Sequence, residues 1–380
     1  MGSVQPNHAD RGGKRNGWRA LWRDHEGRQR SKSFDRKLDA ERHLSTVEAD
    51  LLRGIYVDPR AGQITLSEYA ERWMAVQVWR QSTRELAESH LSNHIGPGLG
   101  SRKLVAITRT DVQGFVAALE AKGLSPRTVE GIYRRLVSMI EGAVHDRLIV
   151  QSPAVKIRLP KVNHTVASQV VALDVDDVHR IAEAAPPWLT AFVWTIATAG
   201  LRPGEAAGLT VERVDFMRRS ISVDRQLTTL SKGVPQLGPP KTASSVRTIP
   251  VADSLIAELN RHMIEHKPVE IEDGASLLFS NRDGRPLRRN TLGDAWDRLR
   301  KKLDLPAEAR GWHSLRHTYA SWLIEDGLSV RTVQARLGHA SATETLEVYS
   351  HLWPDSDDDT RAAIEARLSH ARVADRIELT

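Results

Sequence analysis

The chain has 380 residues, too long for one ordinary core, and 40% of them are hydrophobic, as expected of a soluble globular protein. It has no cysteine, which excludes disulfides, thiolate zinc sites and cysteine nucleophiles; covalent chemistry is left to Ser, Thr, Tyr, Lys, His or a carboxylate. The formal net charge is +6, and residues 11–37 alone hold ten Lys/Arg against Asp24, Glu26 and Asp35, so a polyanion partner (nucleic acid first) and a merely solvated basic surface both stand open.

No apolar run approaches the roughly 18 residues that span a bilayer. The opening MGSVQPNHADRGGKRNG has no apolar core of the kind a signal peptide needs, so a cytoplasmic protein with no membrane partner is expected. After this Gly/Lys/Arg/Asn-rich tract, WRALWRDHEGRQRSKSF alternates in short runs around a turn at Glu26-Gly27 and reads as a small sheet or hairpin. A helix follows, with Leu38, Leu44, Val47 and Leu51 on its apolar face and Gly54 as its stop. Trp18 and Trp22 are the candidates to pack this sheet-plus-helix domain, residues 1–62, and YVDPRAGQ reads as a linker.

Residues 65–155 read as a compact bundle of four or five short helices. Thr65 and Glu68 have the spacing of a capping box, with Leu66, Tyr69, Trp73 and Val76 on one face. Val112, Phe115, Val116 and Leu119 form a second apolar stripe, stopped by Gly123. Ser125 and Pro126 open a third helix, whose apolar face is Val129, Ile132, Leu136, Ile140 and Val144. Arg127, Arg134 and Arg135 lie off that face. QSPAVKIRLPKVNHTVASQ is a linker, and residues 170–380 mix helices with strands. SISVDRQLTT and SVRTIPV are the strand-like stretches, and four helical patterns run from Thr291 to Leu352. A last amphipathic helix follows the acidic run DSDDD. The expected fold class is multidomain α+β: a small sheet-plus-helix domain, a helical domain, and a mainly helical domain with a small antiparallel sheet.

Chemistry-bearing residues cluster in this third segment. In TAGLRPGEAAGLT, Gly200 breaks one helix and Pro203 suits the first turn of the next. Arg202 then stands beside exposed backbone N–H groups, an anion site that Glu205 could orient; an Arg–Glu surface pair explains it equally well. In HSLRHTYASWLIEDG, His313 and Arg316 fall one turn apart above an inward face of Leu315, Tyr319, Trp322 and Leu323, and suit a phosphate oxyanion. His313 and His317 have the i, i+4 spacing of metal ligands, but no third ligand is evident. Lys241 follows two prolines in the turn before a strand; such a hairpin-tip lysine could reach a DNA groove or simply be solvated. Gly338 ends a helix and its turn projects His339, while Tyr349 lies on a short helix capped by Ser341 and is either core or nucleophile.

Taken together, TAGLRPGEAAGL, HSLRHTYAS, LGHAS and TLEVYSHL resemble the boxes of the tyrosine recombinases, in particular phage and mobile-element integrases, over about 200 residues. The resemblance implies that Arg202, Lys241, His313, Arg316 and His339 surround a scissile DNA phosphate and that Tyr349 attacks it, with Glu205 in support. It implies no metal and no cofactor. Two arginines would neutralise the phosphorane, His313 would take the phenol proton, Lys241 would protonate the leaving 5′ oxygen, and His339 would bond a phosphate oxygen. His317 follows the box arginine in many relatives without a core catalytic role.

The resemblance further implies an arm-type DNA-binding domain at 1–62, a core-type one at 65–155 and a catalytic domain at 170–380 with a C-terminal docking helix. Arg19, Arg28, Lys32, Arg134 and Arg135 are the candidate DNA contacts. The implied partners are double-stranded attachment-site DNA of core and arm type, three further copies in a homotetramer, a host DNA-bending protein and an excision factor, on the nucleoid of a bacterial host. A type IB topoisomerase acting on supercoils and a non-catalytic DNA-binding regulator are the alternatives.

Overall fold

The computed structural model describes residues 2–7, 17–25, 27–58, 60–161, 172–228, 235–271, 274–353, 360–362 and 364–368. Its chain divides into two compact units, residues 1–162 and 163–380.

The first unit opens with an antiparallel meander of β1 (Ser3–Pro6), β2 (Trp18–Arg23) and β3 (Gln29–Phe34), in which Trp22 stands opposite Arg30 and Arg19 opposite both Gln5 and Ser33. The sheet is therefore three-stranded, and its first strand comes from the segment expected to be an irregular tract. Gly27, with φ +77°, makes the β2–β3 turn, and its N–H bonds Asp24 O. Helix α1 (Lys37–Leu52) lays Ala40, Leu44 and Val47 on Ala20 and Trp22. Trp22 Nε1 donates to the Tyr56 hydroxyl at 2.9 Å, which closes this small core. Leu38, expected on the buried face, is 54% exposed. It stands two residues before Ala40, roughly 200° around the helix, and so on the face turned away from the sheet.

The bundle contains α2 (Leu66–Ala75), α3 (Gln81–His90), a wider π-helical segment Leu91–Gly100 that continues α3, α4 (Arg109–Ala121) and α5 (Pro126–His145). Thr65 Oγ1 accepts from Glu68 N–H and Glu68 accepts from Thr65 N–H, completing the expected capping box. Thr108 and Asp111 repeat it on α4, and Ser125 caps α5. Leu66, Tyr69, Val112, Phe115, Val129, Ile132, Leu136 and Ile140 share one core. Val76 does not join it: it lies just past the last turn of α2 and is 75% exposed.

The second unit is built around α7 (Pro187–Ala199), a helix apolar on nearly every side. It packs against α6 (Val175–Ala184) and, further along the chain, against two helices described below. Gly200, at φ +62°, ends α7, and a Cβ there would collide with the Tyr319 ring. The chain then forms the short α8 (Pro203–Ala207), β4 (Val214–Asp215), β5 (Ser220–Val223), β6 (Gln226–Thr228), β7 (Gln236–Gly238) and β8 (Arg247–Pro250). Strands β4, β5 and β8 make one antiparallel sheet with Ile221 opposite Ile249, and β6–β7 is a separate hairpin.

After α9 (Asp253–Glu265) and the two-residue strands β9 (Val269–Glu270) and β10 (Ser276–Leu277) come α10 (Arg289–Leu303), α11 (His313–Glu325), α12 (Val330–Leu337) and α13 (Ala342–Tyr349). Helices α9 and α11 are the two that flank α7. A satellite core of Tyr319, Ala320, Ile324, Val333, Leu337 and Tyr349 joins α11, α12 and α13. Residues 360–362 and 364–368 are helical, while the acidic run 355–359 lies outside the described residues.

The Thr65 cap gives a simple stability test. Thr65→Ala should lower the unfolding free energy of the bundle by about 1 kcal/mol, read as a shift in urea midpoint at unchanged slope.

Candidate active site

The site grows from one buried carboxylate. The residue before a proline is driven to extended geometry, so Arg202 (φ −66°, ψ 149°) precedes α8 as its N-cap, and Pro203 takes the first helical position. That places Glu205 where it accepts from Arg202 N–H at 2.9 Å and from Arg202 Nη1 at 2.8 Å. Arg247 Nη2, from β8, donates at 2.9 Å to Glu205 Oε2, the oxygen that also accepts from Arg202 N–H, and Arg316 Nη1, from α11, stands 3.9 Å from the same oxygen. Burial alone would raise the Glu205 pKa; Arg247, then Arg316 and Arg202, outweigh it and hold the carboxyl ionised.

Each arginine has a further tie. Arg316 is 1% exposed and donates to Gly200 O and Leu337 O, both at 2.6 Å. Those carbonyls end α7 and α12, where helix dipoles favour a cation. Arg247 bonds Arg336 O at 2.7 Å and Ser245 O at 2.8 Å. Arg202 reaches the Ser245 hydroxyl at 3.1 Å and Gly338 O at 3.4 Å, and keeps 23% of its side chain exposed. Three guanidinium groups against one carboxylate leave two positive charges unbalanced, with Arg202 at the solvent edge.

Around this cluster stand the imidazoles. His313, the first residue of α11, keeps an exposed edge yet is held low, at about 4, by loss of hydration and then by Arg316 and Arg202. His339 follows Gly338, which takes φ +66° and lies against Arg247. Its Nδ1 is 2.9 Å from Thr345 Oγ1, and burial, then Arg316, bring it down to about 4. Lys241 is exposed on the turn between β7 and β8, after the β6–β7 hairpin rather than at its tip. Thr242 Oγ1 lies 2.9 Å from Ser245 Oγ, so the turn that carries Lys241 is tied to the serine that Arg202 bonds.

Tyr349 is 1% exposed, and burial raises its pKa well above that of free tyrosine while the Arg316 charge pulls it down. Its hydroxyl lies 2.6 Å from Nδ1 of His317. The phenol therefore meets His317, not His313, whose ring sits edge-on to His317 at 4.9 Å. His317 is lowered to about 3 by burial, then by His313 and Arg316, so it is neutral at physiological pH.

Arg247 and the contact of His317 with the nucleophile candidate were missed in sequence. Arg247 had a visible signal: it shares a strand face with Ile249, so a charge points inward where an apolar residue is expected. Among the described residues no group of three His, Asp or Glu gathers as metal ligands, and no helix is long and apolar enough to cross a membrane.

The candidate DNA contacts do not form one patch. Arg19 is exposed on the sheet face opposite α1, whereas Lys32 pairs with Ala20 on the α1 side, its Nζ 5.4 Å from the Phe34 ring centre. Arg28 lies at the β2–β3 turn, its N–H on Asp24 Oδ1. Arg134 is paired with Glu130, and Arg135 stacks on Trp79.

Comparison with known proteins gives the family and the fold. The phage integrase family matches residues 172–355, and the phage integrase N-terminal SAM-like domain matches residues 65–119. A tyrosine recombinase XerC-like protein of Caldanaerobacter subterraneus subsp. tengcongensis is 25% identical over 363 residues, covering 88% of this chain and 91% of its own. The Tn1549 transposon integrase, solved with a circular intermediate DNA, superposes with a TM-score of 0.67 at 24% identity, over 80% of this chain and 99% of that one. A lambda integrase tetramer on a Holliday junction gives 0.57 at 20% identity, over 86% and 94%. With both integrase domains matched in order and the arginine cluster beside a carboxyl-proximal tyrosine, the chain belongs to the phage integrase family of tyrosine recombinases.

Proposed function

We propose that the protein is a site-specific DNA recombinase that integrates or excises a phage or mobile element through a 3′-phosphotyrosyl intermediate. The observation that carries this reading is the excess of two positive charges around Glu205, built from Arg202, Arg247 and Arg316, with a protonated phenol nearby on a neutral imidazole. A phosphodiester in line with such a cluster has its nonbridging charge neutralised, and the charge of the pentacoordinate transition state is stabilised most. Tyr349 Oη then forms a bond to phosphorus as the bond to the 5′ oxygen breaks. The phenol gives its proton to His317, whose Nδ1 already lies 2.6 Å from the hydroxyl, with His313 beside it. Lys241 gives a proton to the departing 5′ oxygen, and His339 donates to a phosphate oxygen. The new ester keeps the energy of the old one, so rejoining by a 5′ hydroxyl reverses the step. Because the phenol is buried in the free protein, α13 has to shift on DNA before attack.

In this reading residues 1–62 bind arm-type sites, residues 65–155 bind core-type sites and residues 170–380 do the chemistry. The Arg19 face of the sheet, which also carries Arg23, is the better candidate for DNA in the first segment, because Lys32 lies on the side of α1. Four copies act on two duplexes, in line with the lambda integrase tetramer on a Holliday junction. The helical residues 360–362 and 364–368, with Ile364 and Leu368 exposed, suit docking on a neighbouring copy. A host DNA-bending protein and an excision factor complete the assembly in the bacterial cytoplasm.

The decisive experiment uses a nicked duplex spanning the ends of the genetic element that encodes the chain. The parent should accumulate a covalent protein–DNA adduct and Tyr349→Phe none; adduct in the variant would overturn the assignment. Arg247→Met should slow adduct formation about a hundredfold, because Glu205 would then draw its charge balance from Arg202 and Arg316, the two arginines left to meet the phosphate, and Arg247→Lys should not restore it, because a lysine cannot make the forked contact on Glu205. The three imidazoles also predict an acid limit. An unfolded histidine titrates near 6.5, whereas His313, His317 and His339 are held at about 4, about 3 and about 4 in the fold. The unfolded chain thus takes up protons first as pH falls below about 6.5. The melting temperature of the protein should drop from pH 7 to pH 5, and less steeply in His317→Asn.

A further inference from the structure

Thr345 is fully buried, and Tyr349 follows it four residues later on the same face of α13. The two side chains meet two different imidazoles: the phenol lies 2.6 Å from His317 Nδ1, and the Thr345 hydroxyl lies 2.9 Å from His339 Nδ1. The first contact serves the attacking group. The second touches only the ring that would meet a phosphate oxygen.

The backbone on both sides of His339 is braced. Its N–H donates to Gln334 O at 3.2 Å, its carbonyl accepts from Gln334 Nε2 at 3.3 Å, and the Ala340 N–H donates to Glu344 Oε2 at 3.1 Å. The ring itself has one hydrogen-bond tether among the described residues, Thr345 Oγ1. His339 is half-buried and its Nε2 is not among the buried, unpartnered atoms, so Nε2 is the nitrogen open to a ligand.

A neutral imidazole holds one N–H, and the partner of one nitrogen sets the state of the other. Burial, then the Arg316 charge, keeps His339 neutral at physiological pH. Elsewhere in the second unit a helical threonine gives its proton to the carbonyl one turn back: Thr195 to Ala191 O at 2.7 Å, Thr198 to Trp194 O at 2.8 Å and Thr318 to Ser314 O at 3.1 Å. Thr345 makes no such bond among the described residues, and the acceptor within its reach is His339 Nδ1. Were the hydrogen on Nδ1 instead, the buried hydroxyl proton would be left without an acceptor, which costs free energy. Nε2 would then turn a lone pair toward an anionic oxygen.

We propose that Thr345 is a positioning residue for the phosphate: its hydroxyl donates to His339 Nδ1, which fixes the ring's orientation and puts the imidazole hydrogen on Nε2, where it donates to a nonbridging phosphate oxygen. The proposal rests on the reading of the chain as a DNA recombinase. A donor set in place beforehand is worth most, because nothing has to reorganise as charge builds at phosphorus.

The test compares Thr345→Val, which keeps the shape and loses the hydroxyl, with Thr345→Ser, which keeps the hydroxyl. On the nicked duplex Thr345→Val should form adduct about tenfold more slowly, the scale of one lost hydrogen bond, and Thr345→Ser should stay within about threefold of the parent. In a His339→Leu background Thr345→Val should slow the reaction no further, since the hydroxyl acts through that ring. A second readout needs no DNA: nitrogen NMR of the chain labelled in histidine, with His339→Leu identifying the signal, should show the His339 hydrogen on Nε2 in the parent and in Thr345→Ser. A parent with that hydrogen on Nδ1 would overturn the proposal, as would Thr345→Val at the parent rate or Thr345→Ser as slow as Thr345→Val. An equal loss in the His339→Leu background would overturn it too, since that marks a packing role. The parent spectrum decides the matter even if Thr345→Val does not fold. If the parent forms no adduct, the recombinase reading fails while the spectrum still reports on Thr345, so the two failures are distinguishable.

Discussion

One carboxylate organises the chemistry of this protein. Glu205 is 2% exposed, and its two oxygens hold Arg202 from the same helix turn and Arg247 from β8, with Arg316 of α11 alongside. A carboxylate buried alone would cost several kcal/mol; here it is stable because three guanidinium groups surround it. The reverse also holds. Three guanidinium groups would repel one another without it, and only their shared anion lets them converge with two charges to spare. The remaining ties reach α7, α12 and the turn before β8, so six segments of the chain close on this point.

The nucleophile candidate is held differently. Tyr349 belongs to the satellite core of α11, α12 and α13 rather than to the large core around α7. The charged cluster can thus stay rigid while α13, only eight residues long, changes position. In the free protein the phenol is covered, protonated and hydrogen-bonded to His317. Such an arrangement keeps an attacking group away from water and from misplaced phosphates until DNA supplies the energy to rearrange it.

Much of this was readable from residue order, for identifiable reasons. Capping boxes and Gly–Pro punctuation are local, so Thr65–Glu68, Ser125–Pro126 and Gly200–Pro203 fall where their side-chain chemistry puts them. The box residues were found because their types and spacing are unusual together. What escaped depends on distant contacts. Strand β1 is four residues long and exists through pairing with β2. Arg247 stands on the inward face of its strand, but nothing in residue order shows that Glu205 lies beneath it. His317 looked like a metal-ligand spacing or a bystander, because nothing in α11 reveals that α13 folds back on it. Val76 failed at a helix end, where periodicity continues but the covering surface does not, and Leu38 failed because its spacing to Leu44 is not helical and turns it away from the sheet.

The charge imbalance around Glu205 has meaning only if a phosphate fills it. The most direct measurement is a structure of Tyr349→Phe bound to its uncut attachment-site duplex. The account predicts the scissile phosphate with its nonbridging oxygens within hydrogen-bond reach of Arg202 and Arg316, Glu205 still holding Arg202 and Arg247, and the residue 349 ring swung out toward phosphorus. A duplex seated with its phosphates away from those two arginines, or an Arg202 released from Glu205 in the complex, would contradict it.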